Sequence, residues 1–123
     1  MPTIPPFMLK QLYVKGSLRN TATGFTLTLR NNLASATLVG IGLAVDDTQV
    51  DPAALVVVIG DTRYPAPAIT SDAPLRFETG TPTRVDVQAA PLAPGAHKLT
   101  LLATTREIGP VTIEVTDNVS DEQ

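Results

Sequence analysis

Apolar and polar residues alternate along much of this chain, with a period of two. The alternation is clearest over residues 12–19, 25–30, 37–46 and 83–89. In a β-strand successive side chains point to opposite faces, so this pattern predicts strands with one face on a core and one face outward. Asn20–Gly24 separates the first two runs, which therefore predict a hairpin.

Further strands are predicted towards the carboxyl-terminal half. Leu55–Ile59 is apolar on both faces, which predicts a central strand. Residues 64–67 contain two prolines, which lack the N–H of a sheet ladder, so they predict an edge strand or a loop. Residues 75–78 predict a short strand, and residues 97–105 and 110–116 predict a second hairpin.

These elements predict an all-β fold, a single-domain antiparallel β-sandwich of about eight strands. Residues 1–123 are expected to form one domain, with flexible ends at 1–7 and 117–123. Asp46-Asp47 predicts a turn. Asp51-Pro52-Ala53-Ala54 predicts a single helical turn, with Asp51 as its N-cap.

Composition excludes several classes of function. The net charge is -3, and the 9 basic residues are scattered, so no basic patch indicates nucleic-acid binding. There is no cysteine, which excludes a disulfide scaffold and a thiolate metal site. The apolar runs at 38–45 and 53–60 are too short to span a membrane, and the start lacks a signal-peptide pattern. These features predict a cytoplasmic location without membrane or nucleic-acid partners.

The residues with catalytic potential have simpler explanations. His97 is the single histidine, and no nucleophile motif accompanies it, so we expect its ring to bond the preceding corner of the chain. Asp46, Asp47 and Asp51 share one loop but lack the spacing of a calcium-binding EF-hand. We therefore predict no catalytic residue, no metal ligand and no bound cofactor in this chain.

The surface offers a candidate partner interface. Arginine and tyrosine are favoured at protein interfaces, and an ordinary solvated face is the alternative interpretation. The predicted interface consists of Tyr13, Lys15, Arg19, Asn31, Asn32, Arg63 and Tyr64.

Several segments resemble the small β subunit of bacterial C-glycoside deglycosidases. They are residues 12–20 (LYVKGSLRN), 24–25 (GF), 29–34 (LRNNLA), Leu92 with 95–99 (GAHKL), and the closing Ile113 to Asp117. The resemblance covers nearly the whole chain.

The resemblance implies a β-sandwich subunit that binds a catalytic α subunit with a sugar-isomerase-like TIM barrel. The complex would act as a carbon–carbon lyase on 3-oxo-C-glycosides such as oxidised flavonoid glycosides. A base would remove the proton at sugar C2, a divalent metal (Mn or Mg) in the partner would stabilise the enolate, and the aglycone would leave from C1. This chain would be non-catalytic, stabilising the α subunit and shaping the substrate entrance.

The alternative is an immunoglobulin-like binding or adaptor module with no enzymatic role.

Overall fold

The computed structural model describes residues 6–31 and 35–121 and confirms the all-β class. Its helical elements are short: a four-residue helix α1 and 3-10 turns at Lys10–Leu12, Pro52–Ala54 and Ala66–Ala68. The elements are α1 (Pro6–Leu9), β1 (Arg19–Thr21), β2 (Gly24–Arg30), β3 (Ala36–Val45), β4 (Thr48–Gln49), β5 (Leu55–Ile59), β6 (Thr62–Pro65), β7 (Leu75–Phe77), β8 (Pro82–Gln88), β9 (Gly95–Thr105) and β10 (Gly109–Asp121).

The strands form one curled, mixed sheet with the order β4-β3-β9-β10-β1-β2-β8-β5-β6, and β7 pairs with β3. This corrects two details of the prediction. The sheet has ten strands rather than about eight, and it is not wholly antiparallel, because β1 and β10 are parallel. The described strands follow one continuous hydrogen-bonded path, in which the short pairing of β1 with β10 joins the two halves.

The length of β10 explains this continuity. Residues 109–119 pair with β9, while Ser120 and Asp121 pair with Arg19 and Asn20 of β1. The strand therefore passes from one half of the sheet to the other. Residues 117–121, predicted as part of a flexible end, belong to this strand.

Both halves of the sheet contribute rows of buried residues to one core. In one half, the pairs Leu27–Val85 and Val57–Val85 are in register. In the other half, Leu101 lies between Leu43 and Ile113, which also face inward. All of these side chains belong to a single hydrophobic cluster, and burying each contributes roughly 1.5–3 kcal/mol.

The first predicted strand is wrong over most of its length. Residues 10–12 form a 3-10 turn, Tyr13 makes a single bridge to Leu29, and the regular strand begins only at Arg19. Gly16 has a φ of 85°, a left-handed conformation that breaks an extended strand. Leu12 and Tyr13 are both buried although they are adjacent, so the apparent alternation does not correspond to two faces.

The other local predictions are confirmed. Asp51 accepts a hydrogen bond from the Ala53 N–H at 3.0 Å and caps the turn that starts at Pro52. Asp46 and Asp47 both have positive φ angles, as expected of a tight turn. The proline-containing strand β6 lies at one edge of the sheet.

Candidate functional site

The predicted interface residues do not form one exposed patch. Tyr13 and Asn31 are buried, at 7% and 2% relative exposure. Lys15 and Arg19 are exposed near β1. Asn32 lies outside the described residues.

The remaining two predicted residues lie on β6. Arg63 is exposed, and Tyr64 is half-buried and packs against the core. Four strand steps separate β6 from β1 in the sheet order, which is about 19 Å at roughly 4.8 Å per strand. Any partner that contacts Arg19 and Arg63 together must therefore span most of this half of the sheet.

Tyr13 is a structural residue. Its hydroxyl donates a hydrogen bond to Asp117 Oδ2 at 2.5 Å, and the Gly16 N–H donates to the same oxygen at 2.8 Å. The Asn118 N–H donates to the other carboxylate oxygen at 2.9 Å. We call Tyr13, Gly16 and Asp117 the latch, because these contacts fasten residues 13–16 against β10.

The latch is ionised at its carboxylate and neutral at its phenol. Burial raises the pKa of Asp117, but the hydrogen bonds from Tyr13, Gly16 and Asn118 outweigh burial and hold that pKa below its usual range. Burial raises the pKa of Tyr13, and the hydrogen bond to Asp117 raises it further. The phenol is therefore a permanent donor at neutral pH.

His97 joins two turns. Its Nε2 contacts the Ala93 carbonyl oxygen at 2.7 Å, and its Nδ1 contacts Asp46 Oδ2 at 2.6 Å. Both partners are acceptors, so this geometry favours the doubly protonated ring. The Ala93 carbonyl and the Asp46 carboxylate raise the pKa of His97. As predicted, the ring bonds the preceding corner of the chain, at the Ala93 carbonyl.

Asp86 organises a second charged cluster. It accepts hydrogen bonds from Thr26 Oγ1 at 2.8 Å and Arg84 Nε at 2.7 Å, and Arg63 Nη1 lies 3.3 Å from its other oxygen. Burial opposes ionisation, but the hydrogen bonds from Arg84 and Thr26 lower the pKa of Asp86. Arg63 thus already has a partner within this chain.

The three acidic residues between β3 and β5 also bind groups of the same chain. Asp46 binds His97 and the Lys98 N–H, Asp47 pairs with Lys98 Nζ at 2.5 Å, and Asp51 caps its turn. Within residues 6–31 and 35–121, no group of three His, Cys, Asp or Glu side chains is placed to hold a metal ion.

The outer surface of β3, β9 and β10 has a different character. Its residues alternate with the buried row at Leu43, Leu101 and Ile113, so they point outward. At its centre lies Leu102, which is 45% exposed and is flanked by Gly42. We call this surface the small-residue face. It consists of Gly40, Gly42, Ala44, Thr100, Leu102, Thr104, Pro110 and Thr112.

The glycines of this face have no packing role within the described chain. A Cβ on Gly42 would meet no atom within 4 Å, and a Cβ on Gly40 would make only ordinary contacts with Thr104 at 3.6 Å. Glycine inside a strand costs roughly 0.5–1 kcal/mol relative to alanine. The sequence shows the small residues of β3, but not that β9 and β10 extend the face, because that depends on strand register.

The fold and these surfaces define a small all-β domain with an outer face whose central rows are uncharged. A family model described as hydroxymethylglutaryl-CoA reductase, N-terminal domain, matches residues 8–120, and the chain belongs to that family. No curated protein matches the chain. None of the described helices is long and apolar enough to cross a membrane.

This family assignment overturns the resemblance to the β subunit of C-glycoside deglycosidases, which is wrong. The residues that carried the resemblance have structural roles. Leu12 and Leu18 lie in the core, Gly16 forms a left-handed turn, and Asp117 belongs to the latch. Core leucines and turn glycines of this kind recur in unrelated β domains, so they are weak markers of family.

Proposed function

We propose that this chain is a non-catalytic domain that binds a larger catalytic domain or subunit through its small-residue face. The observation that carries the proposal is the exposed Leu102 next to Gly42, whose Cβ position is open. An apolar side chain of a partner has room to sit above Gly42 and contact Leu102. A buried apolar anchor of this kind is the usual energetic centre of an interface.

The small-residue face suits a protein partner better than a soluble polar ligand. Its central rows, Gly40–Thr104–Pro110 and Gly42–Leu102–Thr112, carry no formal charge. Glu114 and Lys98 lie at one end of the same surface. An uncharged centre with a charged rim is the common arrangement of protein interfaces.

The family description supports an enzyme as the partner, since it names an N-terminal domain of a reductase. Catalysis would then belong to the partner. The charged clusters described for this chain, around Asp46, Asp86 and Asp117, are each tied to neighbouring groups of the same chain.

The proposal is tested by co-purification with the catalytic domain of hydroxymethylglutaryl-CoA reductase, followed by light scattering and calorimetry. Gly42→Arg should lower the affinity by more than 100-fold, because a charged side chain would lie at the centre of the interface. Thr62→Arg, at an exposed position of β6, is the matched control and should bind like the wild type.

A second variant separates binding from folding. Gly42→Ala should stabilise the isolated chain by roughly 0.5–1 kcal/mol, yet weaken the complex by several-fold. Equal binding by the wild type, Gly42→Arg and Thr62→Arg would refute the role of this face. Absence of any complex would refute this partner.

The cleavage of 3-oxo-C-glycosides by a complex with a TIM-barrel subunit and a divalent metal stays a prediction. With the resemblance gone, it lacks its main support. Assay of the chain with and without such a subunit tests it directly. The cytoplasmic location and the adaptor role without an enzyme partner also stay predictions from the sequence.

A further inference from the structure

An apolar cavity of about 200 Å³ lies at one end of the core, between the two halves of the sheet. On one side it is bounded by the inward-facing row Ile41, Ala103 and Val111 of β3, β9 and β10. These three residues are only partly buried, whereas the next inward row is buried. Ala103, at the middle of the row, has a small side chain that leaves the space above it open.

The opposite side of the cavity contains a buried hydroxyl. Leu29 of β2 and Thr83 of β8 are in register there, and both line the cavity. Thr83 is 2% exposed, and its Oγ1 has no hydrogen-bond partner among the described residues. A buried hydroxyl without a partner costs free energy, so this position favours a group that can pair with it.

The other polar groups of the lining already form hydrogen bonds within the chain. Thr105 Oγ1 donates to the Gly109 carbonyl oxygen and accepts from the Ile108 N–H. The Glu107 carboxylate accepts from the N–H and the hydroxyl of Thr37. Thr83 Oγ1 is therefore the buried polar atom of the lining that has no partner among the described residues.

We propose that this cavity binds a small, mainly apolar molecule with one hydroxyl group, of the size of a single aromatic ring. An apolar protein cavity of about 150 Å³ is large enough to bind benzene, so a substituted ring fits the volume seen here. The hydroxyl of the ligand would pair with Thr83 Oγ1, and its ring would contact Leu29, Ile41 and Val111.

Two probes of similar size test the proposal, phenol and toluene. Binding is measured by methyl NMR titration of the full chain. Both should shift the methyl signals of Leu29, Ile41 and Val111. Thr83→Val keeps the shape of the side chain and removes the hydroxyl. It should weaken phenol binding by about fivefold or more and leave toluene binding within about twofold.

Two further variants complete the test. Thr62→Val makes the same chemical change at an exposed position and should alter neither affinity. Ala103→Leu should fill the cavity and abolish binding of both probes. If that variant does not fold, the methyl shifts in the wild type still locate the site.

The proposal is overturned if neither probe shifts the cavity methyls, or if Thr83→Val weakens both probes equally. Phenol binding that survives in folded Ala103→Leu would also overturn it.

Discussion

Replacing Tyr13 with phenylalanine is expected to lower the free energy of unfolding by about 2 kcal/mol. The ring and its packing remain, and only the hydroxyl that donates to Asp117 Oδ2 at 2.5 Å is removed. A hydrogen bond to a charged group contributes roughly 1.5–3 kcal/mol. Asp117 keeps the N–H donors of Gly16 and Asn118, so its charge is not left unpaired and the middle of that range applies.

Urea denaturation is the appropriate assay. A small domain has an m value of roughly 1–3 kcal/mol per molar urea, so the midpoint should fall by about 1 M. Tyr64→Phe, at the half-buried tyrosine of β6, is the control and should change stability by less than about 0.5 kcal/mol. A double-mutant cycle with Asp117→Asn should give a coupling of about 1 kcal/mol, because the amide oxygen of asparagine can still accept a weaker, neutral hydrogen bond from Tyr13.

The loss should also depend on pH. Because the folded pKa of Asp117 is depressed, its stabilising contribution is present above its unfolded pKa and is lost as pH falls through the lower folded pKa. The difference between wild type and Tyr13→Phe should therefore shrink from pH 7 towards about pH 2. If Tyr13→Phe and Tyr64→Phe lose equal stability, or if the loss is independent of pH, the role assigned to the latch is wrong.

Four other substitutions test three separate parts of the structure. His97→Gln should destabilise the chain at low pH. The raised pKa of His97 makes its contribution complete below its unfolded pKa, and the difference in urea midpoint should vanish as pH rises through the folded pKa. Leu99→Ala should lower the free energy of unfolding by roughly 3 kcal/mol, because Leu99 is fully buried. Leu102→Ala, on the outer face of the same strand, should lower it by under about 1 kcal/mol. A similar cost for both would contradict the assignment of the two faces. Gly24→Ala should lower the free energy of unfolding by at least about 2 kcal/mol, because the added Cβ would overlap the Val87 backbone oxygen. Thermal denaturation measures this loss, and unchanged stability would refute that close approach.

Local sequence patterns were sufficient for the elements whose partners are near in sequence or whose burial is uniform. The sequence of β5 predicts a central strand because it is apolar on both faces. In the structure β5 lies between β6 and β8. The β9–β10 hairpin follows from its alternation and its turn. The cap at Asp51 follows from the chemistry of helix starts.

The region before β1 and the end of β10 depend on contacts that no local pattern reports. Tyr13 and Asp117 are 104 residues apart. Residues 117–121 look like a polar end, yet Asp117 is buried because the latch satisfies its carboxylate. The wrong prediction of a strand over residues 12–18 has the same cause. Tyr13 is buried because its hydroxyl bonds Asp117, a contact that the local sequence pattern does not show.

The candidate surfaces were only partly predictable for a related reason. The sequence shows that Gly40, Gly42 and Ala44 share one side of β3. Their continuation onto Leu102 and Thr112 depends on the register of β3, β9 and β10. The cavity was not foreseen, because its lining combines residues of distant strands, such as Ala103 of β9 and Thr83 of β8.

The parallel pairing of β1 with β10 has a consequence for synthesis on the ribosome. Arg19 pairs with Ser120, and the Tyr13 hydroxyl bonds Asp117, so these two contacts form only after about 100 further residues are translated. At roughly 5–20 residues per second this delay is about 5–20 s. During that time β1 lacks the strand that pairs with its outer edge. An edge strand that stays unpaired during synthesis is a site for pairing with the wrong strand, so this late pairing exposes the growing chain to misassembly.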